Sequence, residues 1–187
     1  MTKQQIRKQV LIKREQLTSK EVSLLSYKIF NSLTPLLLQY KNFFIYNSFK
    51  NEVETKQIIK FLIQNKKNVY LPKIKNGKIF AVKFSNDMKK NNYGIDEPNG
   101  EKIEISNFVS IIPAIVLDKQ GNRIGFGKGY YDRFLKENEC LKVALCYDFQ
   151  LFDKIPSEEH DVKMDYIITP TRLINCHLSL NKAFNCP

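Results

Sequence analysis

Residues 121–135, GNRIGFGKGYYDRFL, hold four of the seven glycines in this 187-residue chain. Gly125, Gly127 and Gly129 alternate with Phe126 and Lys128, and Arg123, Asp132 and Arg133 stand close by. Alternating glycines remove every second side chain, so backbone N–H groups can face a bound anion at close range. The cations neutralise phosphate, and the carboxylate of Asp132 among them suits a Mg²⁺ ion. A helix opening near Tyr130 would add the partial positive charge of its N-terminus. The chemistry indicated is the grip of a phosphorylated ligand. Neither generic template fits: Asn122 stands where a P-loop needs its first glycine, and the stretch reads G-x-G-x-G rather than the G-x-G-x-x-G of dinucleotide sites.

A second set of cations lies at the start of the chain. Ile6, Val10 and Leu17 recur at helical spacing over 3–16, and Lys3, Arg7 and Arg14 fall within about 40° of one another beside that stripe. Taken alone, such a ridge is a rim of cations along a buried face. The net charge of +11 is concentrated in the same half: residues 1–90 carry 19 Lys/Arg against 5 Asp/Glu, and the remainder 11 against 14. That field attracts polyanions, whether nucleic acid, an anionic membrane or a small ligand with several phosphates or carboxylates.

The elements that must position these groups follow from periodicity. Helices are expected over 3–16, from Thr18 to the Thr34-Pro35 pair, over 51–67 and over 130–138. Thr18 and Glu21 have the spacing of a capping box. Strands are expected over 42–49, 68–73, 78–84, 142–148 and 166–170. The almost continuously apolar 108–118 reads as one strand buried on both faces. Residues 91–100 read as an irregular loop, 154–165 as a polar loop, and the tail after Thr171 has no strong pattern. Strands alternating with helices predict an α/β layered sandwich with a largely parallel central sheet flanked by helices, formed as one domain over 1–187. In such folds ligands sit at the carboxyl ends of strands, which is where the glycine stretch leaves 108–118.

Composition excludes several classes. No run of about 18 apolar residues is present that would span a bilayer, and the charged N-terminus is not a secretory signal, so a cytoplasmic location is expected. The four cysteines form no C-x-x-C pair and the two histidines lie far from most of them, which argues against zinc.

The segment DKQGNRIGFGKGYYDRFL, 118–135, resembles the signature of the 5-formyltetrahydrofolate cyclo-ligase family. The resemblance continues through KQQIR at the N-terminus, NEVET, YLPK, GIDEP, IIPAIVLD and HDVKMDYIIT, in the order that family uses. One departure is Ala114, where many relatives have glycine, which bears on local packing. The resemblance implies an ATP- and Mg²⁺-dependent cyclisation of 5-formyltetrahydrofolate, in some forms polyglutamated, to 5,10-methenyltetrahydrofolate. Lys3 and Arg7 would belong to the ATP site, with Arg14 added on helical spacing. Residues 123–131 would form the ATP loop: Arg123, Gly125, Phe126, Gly127, Lys128, Gly129, Tyr130 and Tyr131. Phe126 to Tyr130 would also touch the folate, with Phe126 and Tyr130 against the pterin.

Arg123, Lys128 and Tyr130 are the implied catalytic groups. Asp132 and Asp161 match the family's Mg²⁺ positions, although Asp161 alone would read as part of a solvated acidic loop. Glu52 would otherwise be a surface carboxylate near a helix start; by resemblance it binds the pterin, and Asn47 is a further candidate on the same strand end. A monomer acting on a small molecule, with neither nucleic acid nor membrane as partner, is expected. The rival readings are a relative that uses the ATP site on another substrate, and an RNA-binding module suggested by the basic first half. The second lacks an RNP-type motif, and the aspartate among its cations suits phosphate plus metal better than a nucleic-acid groove.

Overall fold

The computed structural model describes residues 1–91 and 94–177. Positions 92–93 of the expected loop and 178–187 of the tail, including Cys186, lie outside the described residues. The helices are α1 (Lys3–Glu15), α2 (Ser19–Gln39), α3 (Lys56–Gln64) and α4 (Tyr130–Glu137). The strands through the middle of the chain are β1 (Asn42–Ile45), β2 (Asn68–Lys75), β3 (Lys78–Lys83), β4 (Met88–Lys90), β5 (Asp96–Pro98) and β6 (Phe108–Pro113). After them come β7 (Val116–Asp118), β8 (Arg123–Ile124), β9 (Leu141–Leu145), β10 (Leu151–Phe152), β11 (Tyr166–Ile168) and β12 (Leu173–Asn175).

Seven strands form the central sheet in the order β12-β11-β9-β6-β1-β2-β3. The inner five are parallel, and the edges β3 and β12 run antiparallel. This is the expected α/β fold with a largely parallel sheet. Counting the parallel strands alone, the spatial order is second, first, third, fourth, fifth, which is the doubly wound order with its switch point between the first and third. Here that point lies between β1 and β6. Phe43, Ile45, Val109, Ile111 and Val143 are fully buried in it, packed on one face with Leu33 and Leu37 of α2 and with Leu62 of α3.

Three expectations are corrected. First, α2 does not stop at Thr34-Pro35 but runs through Pro35 to Gln39. Ile29, Leu33 and Leu37 are fully buried on either side of the proline, so apolar burial outweighs the lost backbone donor. The Thr34 hydroxyl donates to the Phe30 carbonyl at 2.8 Å, within the turn that precedes the proline. Second, α3 begins at Lys56, not 51. Residues 46–55 form a knot of side-chain bonds that compete with helix: Thr55 Oγ1 donates to the Tyr46 carbonyl at 2.8 Å and accepts the Ser48 N–H at 3.0 Å. Third, 108–118 is two strands. The chain turns out of the central sheet at Ala114 and continues as β7 in a small sheet with β8 and β10. The carbonyls of Ala114 and Ile115 both accept from Nε2 of buried Gln150, at 3.0 and 2.9 Å. Ala114 itself is buried, its methyl part of the core with Phe44 and Phe134.

Smaller differences are that β5, paired with β4, lies inside the expected 91–100 loop, and that the tail contributes β12 to the sheet edge.

Asp118, at the end of β7, is fully buried and holds the turn before the glycine stretch. Its carboxylate accepts the N–H of Gln120 and of Asn122, the Asn122 side-chain amide, and the N–H of Ile155, at 2.8–3.1 Å. Gly121 in that turn has φ +88°, and a Cβ there would stand 2.6 Å from the Met164 carbonyl oxygen. Asp118→Ala leaves several buried donors without acceptors, so it should cost about 3 kcal/mol or more. The check is urea denaturation, in which the midpoint should fall by about 1 M or more.

Candidate functional site

The apolar side of α1 sets the site. Ile6 and Val10 pack on Ile115, Val116, Ile124 and Ile155, which fastens the helix across the small sheet. Capping by Thr2 and Gln5 fixes its first turn: the Gln5 side-chain oxygen accepts the Thr2 N–H at 2.8 Å, and the Thr2 hydroxyl accepts the Gln5 N–H. The cations beside that stripe are thereby brought onto the glycine loop and onto the acidic loop near Asp161.

Arg7 donates from Nε to the Gly125 carbonyl at 2.7 Å. A Cβ at Gly125 would stand 2.7 Å from Nη1 of Arg123; one at Gly127 would stand 3.4 Å from Nη2 of Arg7; one at Gly129 would stand 2.9 Å from Nη1 of Arg133. Each alternating glycine therefore leaves room for a guanidinium. Beside the backbone opening expected of these glycines, their missing side chains admit three arginines against the loop. Gly127 and Gly129 also take positive φ, and Gly129 is the left-handed residue at the start of α4.

Arg123 is buried, its Nη2 3.0 Å from Asp132 Oδ1, while its Nε has no hydrogen-bond partner among the described residues. Its guanidinium also lies over the Tyr131 ring, 5.6 Å from the centroid. Arg133 covers the Tyr130 ring at 5.4 Å and donates to the Gly77 carbonyl. Phe126 is 62% exposed and Lys128 is exposed, so both side chains at the loop's tip are open to a ligand.

Lys3 lies 2.7 Å from Asp161 and 3.0 Å from Glu158. Burial opposes the charge on Lys3, but its bonds to Asp161 and Glu158 outweigh this and hold its pKa above the ordinary value. Burial likewise works against the Asp161 carboxylate, and the Lys3 ammonium with the Glu158 N–H holds it below the usual range.

Arg14, added to the phosphate group on spacing, is buried at the far end of α1 and lies 4.0 Å from Glu52. Glu52 accepts the Phe49 N–H at 3.0 Å, and Asn51 ties the same segment to α1 by donating to the Arg14 and Leu17 carbonyls. Burial pushes the Glu52 pKa up, against the pull of Arg14 and of the Phe49 N–H. Burial and the negative charge of Glu52 also raise Tyr131. Glu52, Arg14, Tyr131, Arg123 and Asp132 thus make one electrostatically connected group. Asn47 is engaged beside it, its amide donating to the Asp96 carbonyl at 3.1 Å.

Among the described residues there is no group of three or more His, Cys, Asp or Glu side chains arranged to hold a metal. Burial raises the Cys140 thiol to about 11 and Cys176 to about 12, which leaves both protonated and poorly nucleophilic near neutrality. No helix among the described residues is long and apolar enough to cross a membrane. Sequence reasoning assigned no role to Asp118, Gln150 or Glu158, and counted Arg133 only among the cations beside the glycine stretch. Asp118 followed four residues later by Asn122 has the composition of an Asx-type turn and was open to recognition. Gln150 accepts the Tyr147 N–H locally, at 2.8 Å, but the two carbonyls that its amide serves lie 35 and 36 residues away, where no local pattern points.

A doubly wound α/β domain with its charged groups gathered beyond the carboxyl ends of β1 and β6 is the class that fold and site define. Comparison with known proteins narrows this. Residues 1–170 match the 5-formyltetrahydrofolate cyclo-ligase family. A 5-formyltetrahydrofolate cyclo-ligase of Mycoplasma genitalium is 36% identical over 172 residues, covering 89% of this chain and 96% of that protein. The Haemophilus influenzae cyclo-ligase is 37% identical over 139 residues, 67% of this chain and 74% of that one. The NMR structure of Aquifex aeolicus 5,10-methenyltetrahydrofolate synthetase superposes with a TM-score of 0.86 at 30% identity, covering 100% of this chain and 97% of that one. The chain belongs to the 5-formyltetrahydrofolate cyclo-ligase family.

Because folding raises the Glu52 pKa, the folded chain holds that proton more tightly than the unfolded chain, and ionisation costs stability. The cost is absent below the unfolded value of about 4.3, grows as pH rises through the raised folded value, and is constant above it. Relative to Glu52→Gln, which lacks this loss, the native protein should become progressively less stable across that window. Urea midpoints for both proteins between about pH 4 and pH 8 would show it; parallel curves would place Glu52 in an unperturbed environment.

Proposed function

We propose that the chain converts 5-formyltetrahydrofolate to 5,10-methenyltetrahydrofolate, consuming ATP and releasing ADP and phosphate. The observation that carries this reading is the glycine loop backed by Arg7, Arg123 and Arg133, within a family whose named members are cyclo-ligases. The formamide oxygen is a poor leaving group. It becomes a good one when it takes the terminal phosphoryl group of ATP and ADP departs. N10 of the folate then attacks the formyl carbon, the C–O bond breaks to release phosphate, and N10 loses its proton as the ring closes.

The chain's part in this is positioning and charge stabilisation. Arg123, with an unpartnered Nε and a buried guanidinium, stabilises charge on the transferred group, as does Lys128 at the tip of the loop. Lys3, Arg7 and the amides of 125–129 bind the polyphosphate. Phe126 and Tyr130 give flat surfaces to the folate, Tyr131 belongs to the ATP loop, and Glu52, with Asn47 as a second candidate, accepts hydrogen bonds from the aminopyrimidinone edge. Arg14 holds Glu52 in place.

Mg²⁺ supplies neutralisation of the phosphate oxygens when bound. Asp132 and Asp161 would hold it. Each is paired with a cation here, Asp132 with Arg123 at 3.0 Å and Asp161 with Lys3 at 2.7 Å, so each would have to exchange that partner, or share its second carboxylate oxygen, to take the metal. One or two carboxylates with phosphate oxygens and water is the donor set Mg²⁺ ordinarily takes. The basic first half of the chain draws in both anionic ligands.

Mixing the protein with 5-formyltetrahydrofolate, Mg²⁺ and ATP should give growth of the methenyl product's absorbance, and none with ATP left out. Lys128→Ala should lower kcat by about a hundredfold, the scale of losing one charge-stabilising donor, with its urea midpoint unchanged. A flat trace from folded protein that still binds ATP would assign the loop to a different substrate.

A further inference from the structure

The outer face of α2 carries an ordered stripe of side chains left open by the fold. Leu24 is 57% exposed, Tyr27 49% and Leu38 54%, and Asn31 and Pro35 are exposed between them. At about 100° per residue the five lie within a sector of about 80°. They stand opposite Ile29, Leu33 and Leu37, which enter the core, so burial within the chain does not account for them.

Their spacing is symmetric. Leu24 and Leu38 stand seven residues on either side of Asn31, and Tyr27 and Pro35 stand four on either side. A two-fold axis through Asn31, perpendicular to the helix, therefore lays the stripe on an antiparallel copy of itself. Leu24 then meets Leu38, Tyr27 meets Pro35, and Asn31 meets Asn31. A patch that matches itself in this way is what an isologous interface requires. The charges obey the same relation: Lys28 falls on Thr34 and Glu21 on Lys41, so neither lysine meets its own image and a pair of opposite sign forms twice. The helix cap uses Oε2 of Glu21, which leaves Oε1 for that pair.

The centre of the stripe has a property of its own. Pro35 has no N–H, so the Asn31 carbonyl lacks the donor that an unbroken helix places four residues on. An open backbone acceptor thus stands where the axis passes, beside the Asn31 side-chain amide, which is a donor. In the paired arrangement each Asn31 amide donates to the carbonyl of the other copy.

We propose that the chain associates with a second copy of itself through α2, two antiparallel helices crossing at Asn31. This departs from the monomer expected from sequence, and it is independent of the folate reading, because none of the five side chains belongs to the site. A helix of 21 residues is about 30 Å long and about 10 Å across, so the pair buries on the order of 1,000 Å² in total. That is the low end for a specific interface, which fits a dimer that forms on the order of tens of micromolar rather than a permanent one.

Sedimentation equilibrium of the full chain between about 5 and about 500 µM should show the mass rise from 21.9 kDa toward twice that value. Leu24→Glu and Leu38→Lys should each stay monomeric over the same range. Their urea midpoints should remain near the native one, since both side chains are more than half exposed and Glu and Lys favour helix about as Leu does. Mixed in equal amounts, the two variants should pair again, because residue 24 of each copy faces residue 38 of the other. Leu24→Glu mixed with Leu24→Lys should not pair. A native chain that is still monomeric at about 500 µM overturns the proposal and leaves the stripe to a different partner. So does a dimer that both single variants leave intact, which lies on another surface, and so does rescue by the two position-24 variants alone, which requires parallel helices.

Discussion

Two guanidinium groups stand in the space that side chains would need at Gly125 and Gly129, a third lies against Gly127, and the rest of the site is arranged around that exchange. One comes from α1, one from β8 and one from α4, so the loop is held from three elements at once. Each arginine gains a backbone surface to lie on, and the loop gains a dense positive lining without placing those charges at its tip. Like charges so close together repel, and the fold offsets this locally. Asp132 faces Arg123, the Gly125 carbonyl accepts from Arg7, and the Gly77 carbonyl accepts from Arg133.

That lining depends in turn on one buried carboxylate. Asp118 shapes the turn between β7 and β8 and also holds the N–H of Ile155, so the same oxygens that direct the chain into the glycine loop pin the segment leading to Glu158 and Asp161. Gln150 performs the matching task on the other side of β7, satisfying the two carbonyls that leave the central sheet. The apolar patch where α1 docks is built on the small sheet created by this departure, so backbone hydrogen bonding at Ala114 and Ile115 reaches the placement of Arg7.

Much of this was legible in the sequence, for reasons that differ by element. The parallel sheet announced itself through apolar runs such as 108–113, and the capping pairs Thr2/Gln5 and Thr18/Glu21 show how sharply local chemistry marks a helix start, although only the second was read in advance. The glycine stretch was found because composition there departs so far from the rest of the chain. Misreadings occurred where a distant partner overrode local preference. Pro35 stays helical because Leu33 and Leu37 have a core to enter, and 108–118 breaks because Gln150 waits for its carbonyls. Helical spacing put Arg14 with Lys3 and Arg7 in angle, but angle alone does not say that α1 is long enough for its two ends to serve different neighbours. Glu52 owes its raised pKa to burial, and its charged neighbour Arg14 stands on α1, which no window around Glu52 contains.

Lys3 and Arg7 find their partners 158 and 118 residues further along the chain. During synthesis the first turns of that helix are therefore made long before the groups they bind, although its last turn meets Asn51 and Glu52 much sooner. At the usual rate of about 5–20 residues per second, on the order of ten seconds or more separates the emergence of Lys3 from that of Asp161. Throughout that interval a basic, amphipathic segment with Ile6 and Val10 uncovered is available to whatever anionic surface is nearest, the ribosome included. The site is thus completed late, shortly before β11 and β12 close the sheet edge, whereas the pairing of β1 with β2, which lie close in sequence, can begin well before it.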